Sequence, residues 1–494
     1  MALRRISTIA MACAVFITAC KHQPLPQNAG YPADIAEIII NKCAISGCHN
    51  EASYVAAGGL DLSNWNKMFE GSRSGAVVIP YSPDFSTLCY FTNIDTSIGV
   101  ALSPTMPLNA PPLSAAEYIR LKTWIEAGAA NDKGDIKFAG HPGREKLYIT
   151  NRGCNVVTAV DKETLLPMRY VTVGSVSASF PHCVKVSPDK KHWYVSFFSP
   201  TTLIQKFNAG TDELVGEVNI SSGTWTSFAI SADSKYGFFV DNSSPGKVAY
   251  VDLETMQLLA TYTFNGNFRY PSGIIINDNL KKLYVGATYG NFIYRIDIAD
   301  PSLPVISEMV IDGSSNIQYQ SLLDPHELIL EIGKDECYVA CAGSGEIRRV
   351  SMQNDNVWQV ISLGAAPAYM DISASTGKLF VSCPDDMGTF PGNRGSVAVV
   401  DLATGGINKM INSGYQPYGI SVDDKRGMVT VVNANISSAG PQSHHSSRCG
   451  ERNGNISFIR LSDLSIMDKK RELSIFPFSI ISGKTKGKFF QNEM

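Results

Sequence analysis

The sequence lacks several features that would direct a functional assignment. Charge is nearly balanced, with 42 basic and 45 acidic residues among 494, and no run of lysine or arginine is longer than three residues. That composition argues against a nucleic acid or another polyanion as a partner. Histidine is scarce, with eight residues, and the motifs of a nucleotide-binding loop, a serine-hydrolase elbow and a metalloprotease helix are missing. Beyond the N-terminus, no apolar run is long enough for a transmembrane helix.

The N-terminus carries the pattern of an export signal. Arg4-Arg5 precedes an apolar run, Ile6 to Ala19, that is too short to span a bilayer as a stable helix. The run ends in Ile17-Thr-Ala-Cys20, which resembles the bacterial lipobox. The resemblance implies that residues 1–19 are a signal peptide and that Cys20 is acylated.

An acylated Cys20 predicts a lipoprotein of the bacterial cell envelope, anchored to a membrane and facing the periplasm or the cell surface. Residues 20–30, with two prolines, would form its tether. The alternative is an ordinary signal peptide with an incidental cysteine.

Cys43-Ala-Ile-Ser-Gly-Cys48-His49 is the one stretch whose spacing of thiols and imidazole suggests a cofactor. We interpret it as a site of covalent haem c attachment, in which Cys43 and Cys48 form thioethers and His49 is an axial ligand of the iron. The gap of four residues between the cysteines is a minority spacing for such a site. A zinc site or a disulfide remains an alternative at this stage.

Residues 31–132 are predicted to form a small all-α domain around this motif. Apolar residues at helical spacing, Ile35, Ile38 and Ile39, predict a helix that leads to Cys43. Ser114 and Glu117 form a capping box before a second apolar stripe. The stretch between the two predicted helices is rich in Gly, Ser and Pro and is expected to form loops.

A proline-rich loop before the second helix presents Met106. The Cys-x4-Cys-His motif, this Met106-Pro107 loop and the helix ending at Trp124-Ile125 together resemble the cytochrome c domains of exported bacterial multidomain proteins. The resemblance implies electron transfer, with His49 as the proximal ligand and Met106 as the distal ligand. A core role for Met106 is the alternative, and Met68 is a rival that is expected to be buried.

Residues 140–494 repeat at a period of about 42 to 60 residues, which predicts an all-β seven-bladed propeller. The expected blade starts are Pro181, Thr226, Pro271, Pro325, Pro367, Pro417 and Pro477. Because residues 145–174 lack a first strand and Pro477 to Ser482 lack any followers, we expect the two ends to complete one blade. Tyr148-Ile-Thr-Asn151 and its relatives resemble the YVTN repeats of bacterial propellers, a family that implies the fold and no activity.

Four histidines of the propeller are predicted to meet at one mouth of its channel, because the loops that carry them emerge on the same face. They are His182, His326, His444 and His445, with Cys449 nearby. Such a cluster would suit copper or zinc. The alternative is that these histidines bond backbone groups or are solvated.

Three functions are therefore open. The first is an electron-transfer lipoprotein in which the propeller serves as a docking or reaction platform. The second is a periplasmic oxidoreductase with a metal or substrate site at the propeller mouth, and the third is a non-enzymatic surface binding scaffold. The sequence identifies neither a redox partner nor a substrate.

Overall fold

A computed structural model describes most of the chain, namely residues 28–139, 143–175, 179–198, 201–331, 333–442, 448–450, 452–468 and 470–482. Cys20 and the export signal lie outside these residues, as do His444 and His445. Within the described part, no helix is both long enough and apolar enough to cross a membrane.

Twenty-eight strands form seven four-stranded antiparallel sheets in the described residues. In chain order they are β1 (Lys146–Asn151), β2 (Val156–Asp161), β3 (Leu166–Thr172), β4 (Pro181–Val186), β5 (His192–Phe197), β6 (Thr201–Asn208), β7 (Leu214–Gly223), β8 (Trp225–Ile230), β9 (Tyr236–Asp241), β10 (Lys247–Asp252), β11 (Gln257–Tyr262), β12 (Pro271–Asn277), β13 (Lys282–Ala287), β14 (Phe292–Asp297), β15 (Val305–Val310), β16 (Pro325–Glu331), β17 (Glu336–Cys341), β18 (Glu346–Ser351), β19 (Asn356–Ser362), β20 (Met370–Ser373), β21 (Lys378–Cys383), β22 (Ser396–Asp401), β23 (Ile407–Ile411), β24 (Pro417–Asp423), β25 (Met428–Asn433), β26 (Asn453–Arg460), β27 (Arg471–Ile475) and β28 (Pro477–Ser482).

Each sheet is one blade of a propeller. Blades 1 to 6 are β4–β7, β8–β11, β12–β15, β16–β19, β20–β23 and β24–β27, and blade 7 combines β28 with β1, β2 and β3. The predicted seven-bladed propeller is confirmed. Pairing of β28 with β1 joins the two ends of the described propeller, so that the ring closes.

The repeat predicted from the sequence marks real strand starts. Five innermost strands begin at the expected proline. Strand β8 begins at Trp225, one residue before the expected Thr226, and β20 begins at Met370, three residues after the expected Pro367. The aspartates that end third strands accept hydrogen bonds from backbone amides of the following turn. Asp252, for example, accepts from Glu254 and Thr255, both at 2.8 Å.

A backbone feature shared by most blades fixes the loops at one mouth of the channel. The residue before the opening proline has a φ between +46° and +54° in five blades: Phe180, Tyr270, Asp324, Gln416 and Phe476. Its carbonyl accepts a hydrogen bond from the residue directly after the second strand of the same blade, as in Phe198 to Phe180 at 2.9 Å. The loops before first strands and after second strands are thus tied together around the mouth.

The prediction of a separate all-α domain at residues 31–132 is wrong. The described segment 28–139 contains only four short α-helices, α1 (Ala33–Ile38), α2 (Trp65–Met68), α3 (Thr87–Thr92) and α4 (Ala115–Glu126). A π-helical turn (Ile39–Cys43) continues α1, and a 3-10 turn (Pro83–Phe85) precedes α3; a second 3-10 turn (Phe264–Gly266) lies in the propeller. The rest of this segment is loops and turns.

The prediction of an all-α domain fails because apolar residues at helical spacing occur only at the two ends of residues 31–132. The predicted capping box of Ser114 and Glu117 is present at the start of α4. The loops between the helices bury their apolar side chains against the propeller, as where Phe85 stacks on Tyr170 of β3 at 4.2 Å between ring centroids. One continuous core therefore runs from Tyr31 to Trp193 of blade 1. We call residues 28–139 the N-terminal lobe.

Candidate functional site

Cys43 ends the π-helical turn that continues α1. Ile35, Ile38 and Ile39 are buried, so this short helical element is anchored on its apolar side. After Cys43 the chain turns tightly, and the amide of His49 donates to the carbonyl of Cys43 at 3.1 Å. The loop therefore brings the backbone of His49 back to that of Cys43.

Both cysteines of the motif are free thiols. Cys43 is 6% exposed, and burial together with the neighbouring Cys48 raises the pKa of the Cys43 thiol to about 12. Cys48 is half-buried. Among the described residues, no three His, Cys, Asp or Glu side chains are grouped as a metal site. The two thiols and His49 are therefore not arranged as the zinc alternative requires.

The imidazole of His49 is oriented by the backbone that follows it. Nδ1 lies 3.2 Å from the carbonyl oxygen of Leu60. Because a carbonyl only accepts, Nδ1 must carry the proton, and the lone pair of the neutral ring is on Nε2. Burial lowers the pKa of His49, while contacts with the carbonyls of Leu60 and Ala57 oppose that shift. The ring is thus a neutral imidazole with Nε2 as its donor atom.

This donor set fits a covalently attached haem. Two free thiols precede a histidine whose other ring nitrogen bonds a carbonyl, the arrangement common to metal-ligating histidines. Apolar side chains near the motif and near Met106 are exposed, with Ile45 at 41%, Val55 at 58% and Leu108 at 53%. Such exposed apolar groups suit a large apolar cofactor.

Met106 lies in a loop docked on α3. Its amide donates to the carbonyl of Phe91 at 2.7 Å, and the amide of Leu102 donates to Tyr90 at 3.0 Å. Met106 is half-buried, whereas its rival Met68 is fully buried in the core. Met68 is therefore a packing residue.

The structure brings two of the four predicted propeller histidines together. His182 and His326 line the same cavity of about 170 Å³ in the central channel. His182 donates from Nδ1 to the carbonyl of Thr226 at 2.7 Å, and burial lowers its pKa well below the usual value. His182 thus has the backbone bond that the alternative interpretation expects. His444 and His445 lie outside the described residues.

Cys449 cannot join the predicted metal cluster, because it forms a disulfide with Cys154. The sequence did not reveal this pair, whose members are 295 residues apart. Cys154 follows β1 at the mouth, so the bond ties the insertion between β25 and β26 to blade 7. Next to Cys449, Arg448 forms an ion pair with Asp84 of the N-terminal lobe. The insertion therefore connects the mouth to the lobe.

Sequence reasoning also missed Arg152, which lies at the mouth beside His182. Its guanidinium group is 4.3 Å from the ring centroid of Phe198, 4.7 Å from that of Phe476 and 4.6 Å from that of Phe478. Burial lowers the pKa of Arg152. The signal that could have found it is the repeat itself, since Arg152 follows Tyr148-Ile-Thr-Asn151 at a position where the other blades have uncharged residues.

Comparisons with solved structures identify the fold and go no further. Dihydro-haem d1 dehydrogenase NirN, solved in complex with DHE, is 12% identical, with 84% of this chain and 96% of that chain covered at a TM-score of 0.51. A functionally unknown protein from Desulfotomaculum acetoxidans DSM 771 is 11% identical, with 68% and 98% covered at a TM-score of 0.50. No protein-family profile and no curated protein matches the sequence. At these identities, the likeness supports the propeller fold alone.

Proposed function

We propose that this chain carries one covalent haem c at Cys43, Cys48 and His49 and transfers electrons. The observation that carries the proposal is the state of the motif: two free thiols in one tight loop, followed by a histidine whose Nδ1 is engaged by Leu60. That bond leaves Nε2 as the donor atom and fixes the orientation of the ring. When bound, the haem would supply one-electron chemistry through its iron.

Met106 is proposed as the second axial ligand. Its loop is held on α3 by a backbone hydrogen bond, and its thioether is not committed to the core. A thioether opposite an imidazole raises the reduction potential and closes the iron to small molecules. That pairing suits electron transfer better than ligand activation.

The proposed setting is the bacterial cell envelope. Export and acylation at Cys20 would place the thiols where covalent haem attachment occurs in bacteria. The propeller would act as a docking or reaction platform, because the N-terminal lobe packs on its side and the insertion connects the lobe to the mouth. NirN, whose fold is similar, is named a dehydrogenase, so a propeller of this kind is compatible with redox chemistry.

The test is a pyridine haemochrome spectrum of the full chain made together with a cytochrome c maturation system. We expect a c-type band at about one haem per chain. The double variant Cys43→Ser, Cys48→Ser should lose the band. Cys89→Ser is the matched control, because Cys89 is a buried free thiol of the same lobe, and it should keep the band. A wild-type protein without a c-type band would refute the proposal.

A second candidate function is a redox enzyme that reacts with its substrate at the propeller mouth. It is favoured by the shared cavity of His182 and His326. Metal analysis of the purified protein separates the two functions. The enzyme is favoured if the protein contains about one copper or zinc per chain beside iron and if the double variant His444→Ala, His445→Ala loses that metal. Iron as the sole metal would count against a metal site at the mouth.

A further inference from the structure

Arg152 is a partly buried cation without a counter-ion in the described part of the chain. No carboxylate forms an ion pair with it there, and its Nε is buried without a hydrogen-bond partner. The three phenylalanine rings stabilise the charge through their faces, yet they cannot satisfy the five N–H donors of a guanidinium group. Buried donors are normally satisfied, so an unpaired one needs an explanation.

The repeat shows that the propeller fold does not require a cation at this position. In six blades, the residue after the second strand donates its amide to the residue before the first strand. These residues are Arg152, Phe198, Asn242, Thr288, Ala342 and Ala434. Arg152 alone is charged, and its backbone bond to Phe476 is the same as in the other blades. Its side chain therefore serves something other than the shared blade geometry.

The surroundings of Arg152 are aromatic and lead into the channel. The ring of His182 packs on two of the same phenylalanines, Phe198 at 5.4 Å and Phe478 at 4.5 Å between ring centroids. His182 and Tyr369 line the cavity of about 170 Å³ that continues below the mouth. A cavity of about 150 Å³ accepts benzene, so this one has room for a single aromatic ring.

The other charged groups of the cavity lie on its wall. Lys185, Asp278 and Glu327 line it, and the charge of Glu327 acts on Tyr369. The titratable groups nearest Arg152 are the hydroxyls of Tyr369 and Tyr418, and burial raises the pKa of both, so that they stay protonated and uncharged. They therefore do not neutralise the charge of Arg152.

We propose that the propeller mouth binds a small aromatic carboxylate. Its carboxylate group pairs with the guanidinium of Arg152, which is matched to a carboxylate in geometry, and its ring enters the cavity where His182 and Tyr369 line it. This site does not depend on haem attachment in the N-terminal lobe.

The test uses benzoate as the probe in calorimetric titrations of the full-length protein. We expect benzoate to bind, and benzamide, its neutral isostere, to bind at least about tenfold more weakly. Arg152→Met should weaken benzoate by about tenfold or more. Arg394→Met is the matched control, because Arg394 lies on the same face but is paired with Asp385 at 2.7 Å. The affinity of the Arg394→Met variant for benzoate should stay within about twofold of that of the wild type.

A measurement on the unmodified protein keeps the proposal testable if Arg152→Met fails to fold. Benzoate should protect Arg152 from phenylglyoxal, as mapped by mass spectrometry, while benzamide should not. Glu451, two residues after Cys449 in the sequence and outside the described residues, gives a further control: Glu451→Gln should leave benzoate binding unchanged. The proposal would be overturned if benzoate does not bind or if benzamide binds equally well. Tighter binding of benzoate by Glu451→Gln would also overturn it, because Glu451 would then be the partner of Arg152.

Discussion

His49 and Met106 sit in different loops, and each loop is held by backbone hydrogen bonds. The carbonyl of Leu60 fixes the tautomer of His49, and the carbonyl of Phe91 fixes the backbone at Met106. Residue type and spacing single out both residues as candidate ligands. Their hydrogen-bond partners could not, because a backbone carbonyl leaves no signature in the sequence.

Met106→Ala tests the second axial ligand. With the thioether removed, the reduced protein should bind carbon monoxide readily, while the reduced wild type should not, because Met106 would hold the position on the iron that carbon monoxide needs. Absorption spectra with and without carbon monoxide measure the difference. Met68→Leu is the control, because Met68 is a fully buried packing residue. Ready binding by the wild type would show that Met106 is not a ligand.

A buried ion pair between blades 7 and 1 gives a prediction about stability. Lys146 of β1 and Asp212, in the turn before β7, are 2.6 Å apart with side chains 4% and 5% exposed. Asp212→Asn leaves the ammonium group buried without its counter-charge. The free energy of unfolding, measured by urea titration, should fall by about 3–5 kcal/mol.

The exposed pair of Lys67 and Glu70 is the comparison for that measurement. Its side chains are 45% and 64% exposed, so solvent screens the interaction. Glu70→Gln should therefore change the urea midpoint little. An equal effect of both substitutions would contradict the account of the buried pair.

At the scale of elements, the insertion between β25 and β26 connects the lobe, blade 6 and blade 7. Arg448 pairs with Asp84 of the lobe, and Cys449 is bonded to Cys154 after β1. The sequence placed this insertion at the mouth because strand directions alternate. It could not predict the disulfide, because five other cysteines outside the haem motif and the export signal were equally open partners.

The disulfide should stabilise the protein mainly by restricting the unfolded chain, since it links residues 295 apart. We expect Cys154→Ser with Cys449→Ser to lower the free energy of unfolding by about 2–4 kcal/mol. Reductant should lower the stability of the wild type by a similar amount and leave the double variant unchanged. A double variant as stable as the oxidised wild type would contradict this role.

At the scale of the whole molecule, one core joins the lobe to the propeller. Tyr31 and Ile125 of the lobe belong to the same buried cluster as Tyr148 and Trp193 of the blades. The propeller could be predicted because its strands repeat and its turns carry local signals. The lobe could not be predicted as a fold, because its loops take their shape from contacts with β3 and neighbouring strands that are remote in sequence.

The central claim is that the chain carries haem through Cys43 and Cys48. Intact-mass spectrometry of the denatured protein, made with a cytochrome c maturation system, tests it most directly, because a thioether-bound haem survives denaturation. We expect the wild type to be heavier than the double variant Cys43→Ser, Cys48→Ser by the mass of one haem beyond the two substitutions, because processing at Cys20 would change both masses alike. A wild-type polypeptide without the added mass would contradict it.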